Sequence, residues 1–180
     1  MTKKYILTGG PGSGKTSILL ELEARGEYVV REASEDIIRR YQKKGIEKPW
    51  EQVHFQLEIL NLQVQREERV PREIKRVFID RGIPDGLAYA EPASLTFRCI
   101  QQQTQPNCIP YQYHGIFLIE NLGQTETNKI RREGQSEAIE IEKRIARIYS
   151  DLGYEVQGIG PGTIENRADR ILEIIANGKV

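Results

Sequence analysis

The stretch Gly9-Gly10-Pro11-Gly12-Ser13-Gly14-Lys15-Thr16 decides the fold, because it fits the pattern G-x-x-x-x-G-K-[ST]. Its glycines allow the backbone to curl and to turn its N–H groups toward an anion. We expect Lys15 to reach the β- and γ-phosphates of a nucleotide, and the Thr16 hydroxyl to hold Mg²⁺. An ordinary glycine-rich turn is the alternative, but at a glycine frequency near 7% a chance match in this chain is below about 1 in 100. The loop, followed by Ser17, therefore predicts a binding site for a nucleoside triphosphate.

Apolar runs and helical stripes alternate on both sides of this loop. Short apolar runs predict strands at residues 4–8, 28–30, 77–79, 115–119 and 154–159. Stripes at helical spacing predict helices that start at Thr16, Ser34, Pro49, Ser136 and Thr163, with one or two short helices between residues 84 and 105. Strands that alternate with helices predict a parallel sheet covered on both faces, within one domain over residues 1–180. Ligands bind such sheets outside the carboxyl ends of the strands.

Composition and charge exclude several other classes of protein. The chain has 180 residues, of which 38% are hydrophobic, and this is ample for a buried core. Its 26 basic residues balance 26 acidic ones, which argues against general binding to nucleic acid or to an anionic membrane and leaves only a local basic patch open. No apolar run approaches the roughly 20 residues that span a bilayer. With no signal segment at the first residues and with Cys99 and Cys108 in no metal pattern, the sequence predicts a cytoplasmic protein with reduced thiols.

Charged residues follow the predicted strands on the side of the loop. Asp80 ends the apolar run at residues 77–79, and an aspartate beside the loop can bind Mg²⁺ or accept a proton from an attacking hydroxyl. Arg81 comes directly after it, and Glu32 follows the second strand. Asp85 either assists the metal or the substrate, or caps the helix that follows it. We therefore predict a site in which Asp80, Arg81 and Glu32 lie beside the loop.

These motifs have the Walker A and Walker B forms, and the whole chain resembles the P-loop NTPases of the kinase–GTPase division. The resemblance implies a three-layer α/β/α fold with a five-stranded parallel sheet in the order 2-3-1-4-5. Residues 78–89 (FIDRGIPDGLAY) are similar to predicted ATPases related to the ribosylnicotinamide kinase domain and to a light-response trafficking GTPase of insects. Asp80-Arg81 also resembles a pair in thymidylate and deoxynucleoside kinases, whose arginine holds substrate or phosphoryl oxygens. Glu32 lies where deoxynucleoside kinases carry a general base.

Two further segments have a place in this resemblance. P-loop kinases have a mobile lid after the fourth strand, whose arginines close over the phosphates, and here residues 121–136 contain Arg131 and Arg132. We predict that one of these two arginines acts, although a solvated surface loop is the alternative. Ile164-Glu165-Asn166-Arg167 resembles a family segment near the nucleotide base and fits a capped amphipathic helix equally well.

Two functions fit these observations. The first, which we favour, is an ATP- and Mg²⁺-dependent kinase that transfers the γ-phosphoryl group to a small-molecule acceptor such as a nucleoside or a nucleotide. Asp80 would position the metal or deprotonate the acceptor, and Arg81 would orient it. The second is a nucleotide-hydrolysing ATPase or GTPase switch that binds a protein or phospholipid partner. Asn128-Lys129-Ile130-Arg131 starts the guanine-reading pattern [NT]-K-x-D but ends in arginine, which favours ATP without excluding GTP.

Overall fold

The computed structural model describes residues 2–52, 54–92, 94–104, 112–121 and 135–180. Five strands alternate with six α-helices along these residues. The strands are β1 (Lys3–Thr8), β2 (Tyr28–Val30), β3 (Arg76–Asp80), β4 (Gly115–Ile119) and β5 (Val156–Ile159). The helices are α1 (Lys15–Ala24), α2 (Ala33–Lys43), α3 (Phe55–Glu68), α4 (Leu95–Gln103), α5 (Gln135–Asp151) and α6 (Ile164–Ala176). Short 3₁₀ helices occupy Pro49–Glu51 and Ile83–Ala88.

The strands form one parallel sheet in the order β2-β3-β1-β4-β5, which confirms the predicted order. Successive side chains of β1 point to opposite faces and are buried on both. Tyr5 and Leu7 pack with α1 and α6, whereas Ile6 packs with α5. Because both faces are covered, the strands consist of nearly continuous apolar residues, as parallel strands do. The result is the predicted three-layer α/β/α arrangement.

The pairing register brings the charged residues of different strands to one edge of the sheet. Leu7 of β1 lies opposite Asp80 of β3, so the loop after β1 starts beside Asp80. Val30 of β2 lies opposite Ile79 of β3, and Glu32 therefore follows at the same edge. The carboxyl ends of these three strands thus form the floor of the candidate site.

Three predicted helix starts are wrong, and each error has a local cause. Ser34 is not the cap of α2, because Glu32 holds that position and accepts a hydrogen bond from the Ser34 hydroxyl. Pro49 starts only a 3₁₀ turn, since the extended backbone of Gln52 (ψ 134°) ends it before α3 begins at Phe55. Ser136 lies inside the first turn of α5, which begins one residue earlier.

The start of β5 also differs from the prediction. The N–H of Tyr154 donates to the carbonyl of Tyr149 (3.0 Å), so Tyr154 still belongs to the turn that closes α5 at Gly153. The strand begins two residues later, at Val156. Along the described segments no helix has the length and apolar character needed to cross a bilayer.

The central strand supplies a test of the core. Leu7 is completely buried in β1, whereas Leu20 on α1 is 47% exposed. We expect Leu7→Ala to lower the free energy of unfolding by about 2–5 kcal/mol, because it removes buried methyl groups and leaves a cavity. Leu20→Ala, the matched control, should change it by no more than about 0.5 kcal/mol. Urea denaturation measures both values, and equal losses would contradict the placement of β1 at the centre.

Candidate active site

The loop between β1 and α1 packs tightly against the main chain of neighbouring elements. A Cβ atom at Gly9 would lie 2.4 Å from the carbonyl oxygen of Ile119, and one at Gly10 would lie 2.6 Å from that of Ala138. Gly9 also has a φ of 138°, a conformation that favours glycine. Side chains at either position would therefore displace the loop from β4 and α5.

The side chain of Lys15 lies buried inside the curl of this loop. Its Nζ donates to the carbonyl oxygens of Gly9 (3.0 Å) and Gly10 (2.8 Å) and to Oγ of Ser13 (3.1 Å). The pKa of Lys15 is lowered to about 8, first by burial and then by the nearby Arg81 cation, against the opposing effect of three carboxylates. An anionic ligand in the loop would favour the protonated ammonium group.

Asp80 and Thr16 bring two side-chain oxygens together at the start of α1. Oγ1 of Thr16 donates to Oδ2 of Asp80 (3.4 Å), while Oδ1 of Asp80 is buried without a hydrogen-bond partner. Burial raises the pKa of Asp80 to about 7; the charge of Glu32 adds to this effect, and the cations Lys15 and Arg81 oppose it. A buried, unpaired carboxylate oxygen beside a hydroxyl is an arrangement that a hard cation completes.

These two oxygens suit Mg²⁺, which needs few protein ligands, better than they suit a metal ion that is bound by protein side chains alone. No group of three or more acidic, histidine or cysteine side chains able to hold a metal occurs among the described residues. Mg²⁺ usually takes one or two protein oxygens and completes its shell with water and substrate phosphates. Thr16 and Asp80 match that requirement.

Arg81 has an unusual backbone conformation at the end of β3. Its φ is 64°, and it is the one non-glycine residue in the left-handed region among the residues described. Its N–H donates to the carbonyl of Leu7 (3.1 Å), which extends the β1–β3 ladder by one residue. Its carbonyl accepts a hydrogen bond from Nε2 of Gln63 on α3 (3.0 Å). Bonds on both sides of the residue thus fix this conformation.

The guanidinium group of Arg81 lies between two carboxylates. Its Nε donates to Oε1 of Glu32 (3.1 Å), and its Nη1 donates to Oδ1 of Asp85 (3.3 Å) and to the carbonyl of Gly9 (3.3 Å). The group also lies 5.4 Å from the centre of the Tyr89 ring, within the range of a cation–π contact. Burial opposes the ionisation of Glu32, but the charges of Arg81 and Lys15, together with hydrogen bonds from Ser34 and Arg81, outweigh it, so the pKa of Glu32 is lowered.

A pocket extends from the phosphate-binding loop into the space between α2 and α3. Its polar end contains Thr16, Glu32 and Arg81. Its far wall is apolar and comes from α2, α3, α4 and the turns beside them: Ile38, Trp50, Phe55, Ile59, Leu60, Ile83 and Ile100. An apolar body with a polar group directed at the loop fits this shape.

Not all of the predicted site residues lie among those that the structure describes. It brings together residues 9–17 with Asp80, Arg81 and Glu32. Arg131 and Arg132, with most of the predicted lid, fall in residues 122–134, outside the described part of the chain. Asp85 makes the expected capping contact, because its Oδ2 accepts the N–H of Gly82 (3.1 Å), and it also contacts Arg81.

Arg167, in the segment that resembles a family segment near the nucleotide base, makes contacts with the loop that the sequence did not predict. It is buried on α6, where Nη1 donates to the carbonyl of Ser13 (2.8 Å) and Nη2 donates to the carbonyls of Glu120 (2.9 Å) and Ile159 (3.3 Å). It therefore ties the phosphate-binding loop to the ends of β4 and β5. One signal was present: Arg167 shares the apolar face of the helix with Ile171 and Ile174, at i, i+4 and i+7.

A family model described as an AAA domain matches residues 4–167. The chain belongs to this AAA domain family. The match covers the loop, all five strands and Arg167, so the elements that build the site lie within it.

Solved structures with the same fold include two groups of proteins. One is the NadR protein in complex with NAD and AMP-PNP, with a TM-score of 0.70 and 14% identity; the alignment covers 96% of this chain and 49% of that one. Another is the deoxyadenosine kinase from M. mycoides with bound products, with a TM-score of 0.67 and 12% identity over 97% and 98% of the two chains. The chain thus spans about half of the NadR chain. A comparison with curated protein sequences gave no match. The fold of this AAA domain protein is that of P-loop kinases.

Asp80 should make the stability of this AAA domain protein depend on pH. Its pKa is about 7 in the folded state, against the ordinary value of 3.8 that applies to the unfolded chain. The folded state therefore binds more protons between these values, and the wild type loses stability as the pH rises from about 4 to about 7. Asp80→Asn lacks this titration and should become more stable than the wild type above pH 7, by on the order of 1–3 kcal/mol. Thermal melts from pH 4 to pH 8 measure the difference. Parallel curves for the wild type and the variant would contradict the raised pKa, and Asp151→Asn at an exposed site is the control.

Arg167 should be required for a stable loop. Arg167→Gln removes the hydrogen bonds to three carbonyl oxygens, of which, among the described residues, only that of Ile159 keeps another donor, the N–H of Glu120, so we expect a loss of about 1–3 kcal/mol in the free energy of unfolding. A looser loop should also bind Mg²⁺ and AMP-PNP about tenfold more weakly in calorimetric titrations. Arg170→Gln, on the exposed face of the same helix, should change neither quantity. Unaltered nucleotide affinity in Arg167→Gln would show that the loop holds its shape without this contact.

Proposed function

We propose that the protein is an ATP- and Mg²⁺-dependent phosphotransferase that moves the γ-phosphoryl group to a small-molecule acceptor such as a nucleoside or a nucleotide. The observation that carries this proposal is the pocket, because it begins at Thr16 of the loop and ends against an apolar wall. A protein that only hydrolyses nucleotide needs space for water beside the γ-phosphate. A kinase needs a pocket for a second molecule, in line with the phosphate that it receives.

The loop would bind the phosphates of the nucleotide. Main-chain N–H groups at the start of α1 would donate to the phosphates, and Lys15 would exchange its bonds to Gly9 and Gly10 for bonds to phosphate oxygens. Thr16 and Asp80 would hold Mg²⁺. When bound, the metal neutralises charge on the phosphates and orients them for transfer.

Glu32 is the better placed of the two carboxylates to contact the acceptor. It lines the pocket, whereas the carboxylate of Asp80 faces Thr16. Because the charge of Arg81 lowers its pKa, Glu32 is ionised at neutral pH and can accept a proton. The hydroxyl oxygen of the acceptor would form a bond to the γ-phosphorus as the bond to the β–γ bridging oxygen breaks; the proton passes to Glu32 and ADP leaves.

Arg81 would place its positive charge where the two substrates meet. Its guanidinium contacts Gly9 of the loop on one side and Glu32 of the pocket on the other. A fixed cation at this point stabilises the charge that develops on the transferred group. The names of the structural relatives support an acceptor of this kind, since one is a deoxyadenosine kinase and another was solved with NAD and AMP-PNP.

Transfer of label from ATP tests the proposal directly. The protein is incubated with γ-labelled ATP and Mg²⁺ across a panel of nucleosides, nucleotides and hydroxylated cofactors, and the products are separated by chromatography. We expect label on at least one acceptor. Lys15→Ala should lower the rate by about 100-fold or more, because it removes a cation from the developing charge. Lys143→Ala, at an exposed lysine on α5, is the matched control and should keep the wild-type rate.

Two outcomes would contradict the proposal. Label that moves only to water with every acceptor would assign the protein to the hydrolytic switches. Undiminished ATP affinity in Lys15→Ala would show that the triphosphate binds away from the loop.

A further inference from the structure

Asp85 is a buried carboxylate to which the proposed reaction gives no task. It lies in the 3₁₀ helix after β3 and is 2% exposed. An isolated carboxylate at such a depth is costly, so its hydrogen-bond partners determine what it does there. Those partners come from three elements that meet at the phosphate-binding loop.

Four donors face the two oxygens of this carboxylate. Oδ1 accepts the hydroxyl of Thr8 (2.5 Å) and Nη1 of Arg81 (3.3 Å). Oδ2 accepts the hydroxyl of Tyr149 (2.6 Å) and the N–H of Gly82 (3.1 Å). Short O–H···O⁻ bonds of this length are charge-assisted, and all four partners donate, which suits an ionised carboxylate.

The surroundings of Tyr149 are arranged so that its hydroxyl reaches Asp85. A Cβ atom at residue 82 would lie 2.4 Å from that hydroxyl, so only glycine leaves room for it. Tyr149 is fully buried on α5, and burial raises the pKa of its hydroxyl well above the ordinary value. The phenol therefore stays protonated at neutral pH and donates to Asp85.

Asp85 and Glu32 accept hydrogen bonds from different nitrogens of the Arg81 guanidinium. Glu32 accepts from Nε, and Asp85 accepts from Nη1, which also donates to the carbonyl of Gly9. Nη2 is the nitrogen of this group that donates no hydrogen bond to any of the described residues. Two carboxylates thus fix the plane of the guanidinium and leave its third nitrogen for a ligand.

We propose that Asp85 is a positioning residue, which together with Tyr149 and Thr8 holds Arg81 against the phosphate-binding loop with Nη2 directed to the bound phosphoryl group. A capping role alone needs a single acceptor for the N–H of Gly82. The other three bonds serve the arginine and the strand that precedes the loop. The kinetic part of this inference rests on the proposed function, because it concerns the arginine of that reaction.

A double-mutant cycle tests whether Asp85 acts through Arg81. We expect Asp85→Asn to lower kcat by on the order of 10- to 100-fold, since a misplaced group of this kind costs about that much. The KM for ATP should change by less than about twofold, because the loop itself is intact. In the Arg81→Ala background, Asp85→Asn should cause no further loss of kcat. Additive losses would overturn the proposal.

Tyr149→Phe keeps the carboxylate and removes one donor, so it covers the case in which Asp85→Asn does not fold. It should lower kcat about threefold to tenfold, again without effect in the Arg81→Ala background. Asp151→Asn and Tyr28→Phe, both at exposed positions, are the matched controls and should leave kcat unchanged.

A measurement without catalysis separates this inference from the proposed function. In protein labelled with ¹⁵N-arginine, the side-chain N–H signal of Arg81 is assigned by its absence in Arg81→Lys. Its exchange with solvent should be slow in the wild type and faster in Asp85→Asn and Tyr149→Phe. Equal exchange rates in all three proteins would overturn the role of Asp85. A wild type that transfers no phosphoryl group but shows these rates would overturn the proposed function alone.

Discussion

The pairing of β1 with β3 is the contact on which the geometry of the site depends. Leu7 lies opposite Asp80, and the N–H of Arg81 donates to the carbonyl of Leu7, so the ladder continues one residue past the strand. Residues on both faces of β1 and β3 are fully buried, and a slip of one residue would turn each of them to the other face. The core therefore fixes the register, and the register fixes the distance between the loop and Asp80-Arg81.

Burial shifts the pKa values of two charged side chains at this edge of the sheet, Asp80 and Lys15, toward neutral pH. It raises the pKa of Asp80 to about 7 and lowers that of Lys15 to about 8, so both groups approach their neutral forms near physiological pH. A triphosphate would favour the charged form of Lys15, and a divalent cation would favour that of Asp80. Without a ligand, the charged forms of Lys15 and Asp80 are poorly solvated because both side chains are buried. A nucleotide with its metal would therefore gain from its contacts with both groups.

The sequence predicts the parts of the molecule that depend on local pattern. The loop has a fixed spacing, the apolar runs of β1 and β3 are short and bounded, and the strand order follows from the family resemblance. The segment that contains Arg167 resembles a family segment near the nucleotide base, but the bond of Arg167 to Ser13 and that of Tyr149 to Asp85 were not predicted, because these partners are distant in sequence. Helical spacing can place a polar residue on the apolar face, as it does for Arg167, but it does not identify the group to which that residue bonds across the fold. The predicted start of α2 at Ser34 was wrong because Glu32 takes the N-cap position there without a side-chain capping bond.

The pair Arg81-Gly82 shows how such tertiary contacts override local preference. A positive φ is the conformation that favours glycine, yet Gly82 has a φ of −88° and Arg81 has a φ of 64°. That conformation costs a non-glycine residue about 1–3 kcal/mol, and it persists because Leu7, Gln63 and the carboxylates around the guanidinium all hold it. Glycine at position 81 would avoid the cost but would supply no cation. Glycine is needed at position 82 for a different reason, because any Cβ there would displace the hydroxyl of Tyr149. The strain at Arg81 is thus explained by the position of its charge, and the glycine beside it by the contacts that keep the charge in place.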